Sequence, residues 1–261
     1  MQPRNRSASN PPARHGVARV ISKLGLASRT LAAQWVRSGR VTVNGRLVRD
    51  PEFPVRMGVD DVVILDHVET AGVEIMPAKF RCVMLNKPRG LLTSTRDEQG
   101  RDTVYSCFDG ADLPWLAPVG RLDKASEGLL LFCNDPVWAA CLTSPESGPN
   151  KTYHVQIDRI LDDAALVALQ AGVMNEGEFL AAKSVRMLRS GSKNAWLEIV
   201  LDEGRNRQIR RLLAAFDITV LRLIRVAIGS LLLGELAKGQ WRDLSSEEIS
   251  SLSHPIACPP S

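Results

Sequence analysis

The chain has 261 residues, 44% hydrophobic and 24% charged, which excludes collagen-like and wholly disordered chains and is long enough for two domains. Its net charge of +4 hides an asymmetry, because residues 1–56 carry 11 Arg or Lys against two acidic residues while the rest is net negative. A basic end of this kind is equipped to meet a polyanion such as nucleic acid, with a solubilising surface as the second reading, and no apolar run is long enough to span a bilayer.

In chain order, MQPRNRSASNPPAR reads as a disordered basic tail over residues 1–14, without the apolar stretch of a signal peptide. Val17, Val20, Ile21 and Leu24 then repeat at helical spacing up to Gly25. Ser28 can cap a second helix that carries Leu31, Trp35 and Val36 and stops at Ser38-Gly39. In RVTVNGRLV, apolar residues flank Asn44-Gly45, a strong hairpin signal because both residues tolerate positive φ. DDVVILD at 60–66 supplies a further strand.

This unit, residues 15–67, resembles the S4 RNA-binding domain, chiefly through ARVISKLGLASRTLAAQWVRSGRVTVNG. The resemblance implies that its two helices present basic side chains to structured RNA, and Arg19, Lys23, Arg29, Arg37 and Arg40 match in character. Contacts of this kind supply affinity and placement more than base specificity.

A linker is expected over 68–79, a second domain over 80–250 and a tail over 251–261. The second domain opens with a strand at 83–85 and a polar turn, Asn86-Lys-Pro-Arg-Gly90. Short apolar pieces at 103–108 and 113–116 precede VGRLDKASEGLLLFCND. Beyond it come a strand at 152–157, a helix across 162–171, strands near 181–188 and 195–201, a helix at about 206–216 and a strand at 220–229. Strands and helices mix without regular alternation, so the fold class is read as α+β.

Three segments carry chemistry. In the first, Leu129 to Phe132 is a continuous apolar run of the kind buried on both faces, and Asp123 is held in the turn at its mouth. A carboxylate so placed can cap the turn or serve as nucleophile or base. In the second, KTYHV, Tyr153 begins a strand, where tyrosine more often packs than reacts. In the third, DEGRNRQIRRLLAAF, the stripe Ile209, Leu212, Leu213, Phe216 is buried, Arg207 and Arg211 point away from it, and Arg210 lies at the boundary, where it can reach a partly buried carboxylate.

Taken in this order after an S4-like domain, GRLDKASEGLLLFCND, KTYHV and EGRNRQIRR resemble the ribosomal RNA pseudouridine synthases of the RsuA-like family. LNKPRG and VLRLIRVAIGSLLLGELAKGQW extend the likeness over residues 17–244. The resemblance implies a catalytic domain with a mixed, mainly antiparallel sheet. It implies an enzyme that isomerises one uridine in folded ribosomal RNA, with the large-subunit RNA favoured slightly through DEQGRDTVYSCF.

By motif, Asp123 matches the family's essential aspartate, Tyr153 the tyrosine that packs on the target base and Arg210 the basic residue that pairs with the aspartate. The target must leave its stack, which calls for a flat ring, and an adjacent guanidinium favours an ionised carboxylate. Lys87 and Arg89, with Asn86 beside them, are candidate substrate-loop residues, a simple strand-ending turn being equally compatible. Arg121, Lys124, Arg205, Arg207 and Arg211 are candidates for phosphate contact.

No cofactor or metal is expected for such an isomerisation, and the sequence has neither a metal-ligand cluster nor a P-loop. Five scattered cysteines, none spaced as C-x-x-C, predict no disulfide framework and fit a reducing, cytoplasmic compartment. The expected partner is ribosomal RNA or a ribosome assembly intermediate, with no membrane and a monomeric state. Rival readings are a non-catalytic RNA-binding assembly factor, which loss of Asp123, Tyr153 or Arg210 would favour, and an S4-linked methyltransferase, which would need a glycine-rich nucleotide loop.

Overall fold

The computed structural model describes residues 14–65, 73–74, 79–94 and 100–253. The expected tail 1–14 therefore lies outside the described residues except for Arg14. The chain divides into two compact units, Met1–Lys79 and Phe80–Ser261.

In the first unit, β1 (Arg14–Gly16) leads directly into α1 (Val17–Lys23), and α2 (Arg29–Arg37) follows. The Ser28 hydroxyl accepts from the Leu31 amide at 3.1 Å, as expected of an N-cap. β2 (Val41–Val43) and β3 (Arg46–Val48) form the hairpin, with Asn44 and Gly45 at φ of 50° and 74°. β4 (Pro54–Arg56) pairs with β1, and β5 (Val62–Ile64) pairs with the other edge of β2. Val17, Val20, Ile21, Ala32 and Val36 of the helices bury against Val41, Val43, Val55 and Val62 of the strands.

The expected linker needs correction: β6 (Val73–Glu74) lies within 68–79 and pairs with β5, extending this sheet to four strands. Two residues carry too little periodicity to be seen as a strand, and their pairing is set by the edge that β5 offers.

The second unit is built on a nine-stranded sheet. Its elements are β7 (Cys82–Lys87), a 3-10 turn (Val104–Phe108), β8 (Ala117–Val119), β9 (Glu127–Cys133), α3 (Pro136–Thr143), β10 (Lys151–Ile157) and α4 (Asp163–Ala171). A separate hairpin of β11 (Val173–Asn175) and β12 (Glu178–Leu180) follows, then β13 (Ser184–Ser190), β14 (Ala195–Leu201), α5 (Gln208–Ala214), β15 (Val220–Ile228), β16 (Leu231–Leu232), β17 (Trp241–Asp243) and α6 (Ser246–Ser253).

The strand order is β13-β14-β10-β15-β9-β7-β17, with β16 on β15 and β8 on β9. Among the described residues, neighbouring strands along this order are antiparallel except β9 with β15, so the sheet is mixed and mainly antiparallel and the class is α+β.

β9 explains its own sequence. Leu130 and Phe132 enter one core cluster, while Leu129 and Leu131 enter another on the opposite face with Leu142 of α3 and Leu252 of α6. A strand covered on both faces has no polar phase. The buried Leu252 also moves the boundary of the expected tail, because α6 runs through Ser253. Cys82, Cys107 and Cys133 are free, whereas Cys141 is disulfide-bonded, a bridge that the scattered cysteines did not lead one to expect.

Candidate active site

The turn between β8 and β9 is fixed from both sides. Leu122 is buried in the core, and its backbone carbonyl accepts from the Thr93 hydroxyl at 2.8 Å. The Asp123 carbonyl accepts from the Ser126 amide at 2.9 Å, and the Lys124 carbonyl accepts from the Gly90 amide at 2.7 Å. Beneath the turn lies Lys87, 0% exposed, whose ammonium donates to the carbonyls of Pro88, Asp123 and Ser126 at 3.1, 3.2 and 2.9 Å. Burial pushes its pKa down to about 8, against the pull of Asp123 and Glu127.

Two of the expected substrate-loop residues are therefore structural. Lys87 cannot contact RNA because it is sealed under the turn, and Asn86 is spent on the Leu236 carbonyl at 2.6 Å. Both lie within β7 rather than in the loop, and only Arg89 of this group is exposed. A cation amid an apolar strand looks like surface until its acceptors are known.

A cleft of about 190 Å³ opens above the turn, and Asp123, Tyr153 and Arg210 all line it. Asp123 comes from the turn, Tyr153 from β10 and Arg210 from α5. Tyr153 also packs against the core, as tyrosines in strands commonly do. Arg121, Arg205 and Arg207 also line the cleft, and with Arg89 and Lys124 they are exposed.

Arg210 departs from the expected pairing. Its guanidinium donates to the Ala125 carbonyl at 3.4 Å, and its buried Nε has no hydrogen-bond partner. Among the described residues no ion pair joins it to Asp123 within 4.0 Å. Burial lowers its pKa, Arg207 and Arg89 add to that, and Asp123 opposes them. The carboxylate and guanidinium thus interact through the field of one cleft rather than by contact, because the helix directs Arg210 at the backbone two residues beyond Asp123.

The start of α5 also differs. Arg207 is not on the helix face but caps it in a left-handed conformation at φ 49°. Arg211 was expected to face solvent, yet it is held at the β11–β12 hairpin by Glu178 at 2.6 Å and by Asn175 at 3.0 Å. Arg205 is likewise paired with Glu203 at 2.7 Å and bonded to the Phe179 carbonyl. These partners occupy guanidinium groups that were expected to meet phosphate.

In the first unit, Arg19 and Lys23 lie one turn apart on α1, with the Lys23 ammonium 3.3 Å from His15 Nε2. Arg29 pairs with Glu52 at 3.0 Å, Arg37 is exposed, and Arg40 sits over the Trp35 ring and donates to the Leu65 carbonyl.

Sequence reasoning overlooked four residues at or beside the cleft. Gln208 is buried and joins the Glu203 carboxylate at 2.7 Å to the Ala181 carbonyl, tying down the approach to α5. Glu127 is buried and paired with Arg222 at 3.1 Å and with Lys238. Burial works against its ionised form, but Arg222 and Lys238 outweigh that and lower its pKa. Lys151 and Arg225 are buried and line the cleft. Their signal was present, since each falls in the apolar phase of its strand, with Tyr153 and Val155 or with Leu223. Among the described residues, no group of three or more His, Cys, Asp or Glu is placed to hold a metal ion.

The family model described as RNA pseudouridylate synthase matches residues 81–215, and an S4 domain model matches 17–63. An uncharacterized RNA pseudouridine synthase of Aquifex aeolicus is 36% identical, covering 90% of this chain and 92% of its own. The ribosomal large subunit pseudouridine synthase B of Bacillus subtilis is 32% identical over 90% of this chain and 93% of its own, and that of Haemophilus influenzae is 32% identical over 97% and 71%. A crystal structure of a pseudouridylate synthase superposes with a TM-score of 0.62 at 28% identity, covering 92% of this chain and 99% of the other.

Proposed function

The chain belongs to the RNA pseudouridylate synthase family, enzymes that convert uridine to pseudouridine in RNA, and from that premise we propose that it modifies a single uridine of large-subunit ribosomal RNA with Asp123 as the catalytic carboxylate. The observation that carries the reading is the convergence of Asp123, Tyr153 and Arg210, from three separate elements, on one cleft. The target uridine leaves its stack and lies on the Tyr153 ring. Asp123 then promotes cleavage of the N1–C1′ bond, either by bonding to C1′ or by taking a ribose proton to leave a glycal, and the N1–C1′ electron pair departs with the uracil. The freed uracil turns, C5 bonds to C1′ as the carboxylate leaves C1′ or returns the proton, the C5 proton departs and N1 takes one up. Arg210 supplies positive potential to the carboxylate across the cleft, and the exposed Arg89, Arg121, Lys124 and Arg207 steer and seat the phosphate backbone.

The large-subunit assignment draws on the relatives from Bacillus subtilis and Haemophilus influenzae, whose names place their action on that subunit. The enzyme is read as a monomer that needs no cofactor and works in the cytoplasm, where ribosomal RNA is made. The free Cys82, Cys107 and Cys133 are compatible with that compartment, while the Cys141 disulfide is not what a reducing one leads us to expect.

The test is carbodiimide-dependent primer extension on both ribosomal RNAs from cells with and without the gene, complemented by wild type or Asp123→Asn. One stop in the large-subunit RNA should vanish without the gene and return only with wild type. Return of the stop with Asp123→Asn overturns the role of Asp123, and a stop lost instead from the small-subunit RNA overturns the choice of substrate.

A further inference from the structure

Lys151 and Arg225 are buried cations that the reading above leaves without a task. Lys151 is 9% exposed and Arg225 5%, and both line the cleft that holds Asp123. Arg225 is the cross-strand partner of Tyr153 in the β10–β15 pair, and Lys151 lies two residues before Tyr153, on the same face of the strand. The two cations therefore flank the stacking platform.

Neither is neutralised from within. Among the described residues the Lys151 ammonium has no hydrogen-bond or ion-pair partner. Arg225 donates Nε–H to the Leu129 carbonyl at 2.7 Å, which fixes its direction, but its buried Nη2 has no partner. Burial and the neighbouring Arg225 both depress the Lys151 pKa, against a pull from Asp202. Retaining two like charges under low-dielectric cover is costly unless an anion meets them. In Glu127 the same sheet shows the usual remedy, a buried charge met by two of opposite sign.

We propose that Lys151 and Arg225 form a subsite for a backbone phosphate flanking the target uridine. This deepens the reading above and rests on its assignment of Tyr153 to the base. A nucleotide carries its charge only on phosphate, and the phosphate is joined to the ribose. Between bond breaking and bond making the uracil must turn while C1′ stays in place, so an anchor on the sugar's own phosphate holds one partner still as the other rotates. Of the exposed arginines at the cleft mouth, Arg205 is engaged by Glu203 and the Phe179 carbonyl, and Arg121 and Arg207 are solvated, so a phosphate held there is screened by water.

The test uses single-turnover pseudouridylation of an RNA fragment carrying the uridine found by mapping, in whichever RNA it lies. One neutral methylphosphonate replaces the linkage 5′ to the target, 3′ to the target, or a control linkage several nucleotides away. Wild type should slow at least tenfold with one of the two flanking substitutions and keep its rate within twofold with the control. Lys151→Gln and Arg225→Gln should be slower on unmodified RNA yet change less than twofold on the methylphosphonate RNA, having already lost the contact. The proposal is overturned if wild type tolerates both flanking substitutions within twofold, or if folded variants keep the full sensitivity. Should the glutamine variants fail to fold, Lys151→Met and Arg225→Met, which keep the apolar bulk and remove the charge, take their place in the same comparison. None of these readouts depends on Asp123 or on the large-subunit assignment, so the two readings fail separately.

Discussion

The ammonium of Lys87 donates to the backbone carbonyl of Asp123 at 3.2 Å and to that of Ser126 at 2.9 Å, so a buried cation sets the shape of the turn that carries the carboxylate. Lys87→Met would remove three hydrogen bonds together with the cost of burying a charge, and these offset each other. Melting temperature at pH 7 should change little, while turnover, which depends on where Asp123 points, should fall at least tenfold.

The pH dependence has a definite sign. Between about 8 and the ordinary 10.5 the unfolded chain binds a proton at Lys87 that the folded chain has released. Stability from this group is therefore lowest below pH 8 and rises as pH climbs, by an upper bound of about 3 kcal/mol. Denaturant titrations at pH 7.5 and 10 should show that rise in wild type and lack it in Lys87→Met.

Glu127 gives the opposite limb. Its pKa is lowered in the folded protein, so its contribution is fully present above the ordinary carboxylate value and is lost as pH falls through the folded one. Glu127→Gln leaves Arg222 and Lys238 facing a neutral group and should cost about 2 kcal/mol at pH 7. Urea melts at pH 7 and 4 should show the gap between variant and wild type narrowing at the lower pH.

Gly128 sits at φ 100°, and a Cβ there would run into the backbone of Arg225, its carbonyl oxygen first. Gly128→Ala should destabilise by about 3 kcal/mol and reduce activity in the fraction that still folds, because the clash parts β9 from β15 beside the cleft. Thermal melts and single-turnover rates measured on one preparation check both.

The salt dependence of RNA binding separates free arginines from engaged ones. Arg121→Ala and Lys124→Ala should each lower the slope of log affinity against log salt concentration by about 1. Arg211→Ala should leave that slope unchanged and lower the melting temperature, since its guanidinium is held by Glu178 and Asn175.

What could be read in the sequence was whatever short-range chemistry decides. Ser28 caps α2, Asn44-Gly45 turns the hairpin, and β14 runs over 195–201 as its alternation indicates. Asp123, Tyr153 and Arg210 were found through motif likeness, and their meeting in one cleft is a tertiary fact. The misses are long-range. β17 is three residues held by β7, and the apolar α3 has no polar face to give it a helical period. The β11–β12 hairpin was overlooked although Glu176-Gly177 takes positive φ at both positions, and Arg211 was misread as a result, since its partners lie on that hairpin. Lys87 was misread because no local pattern distinguishes a lysine that bonds three carbonyls from one that faces water.

The parallel pairing of β9 with β15, at Glu127 with Ile224 and Gly128 with Arg225, bears on the order in which the protein comes into being on the ribosome. The first unit closes through neighbours near in sequence and can fold as soon as it emerges, whereas the cleft needs a strand made near the end of translation. An emerging chain thus has its S4 domain long before Tyr153 meets Arg225. A product released early, before β15, would retain the basic helices and lack the cleft, and so would compete for RNA without modifying it.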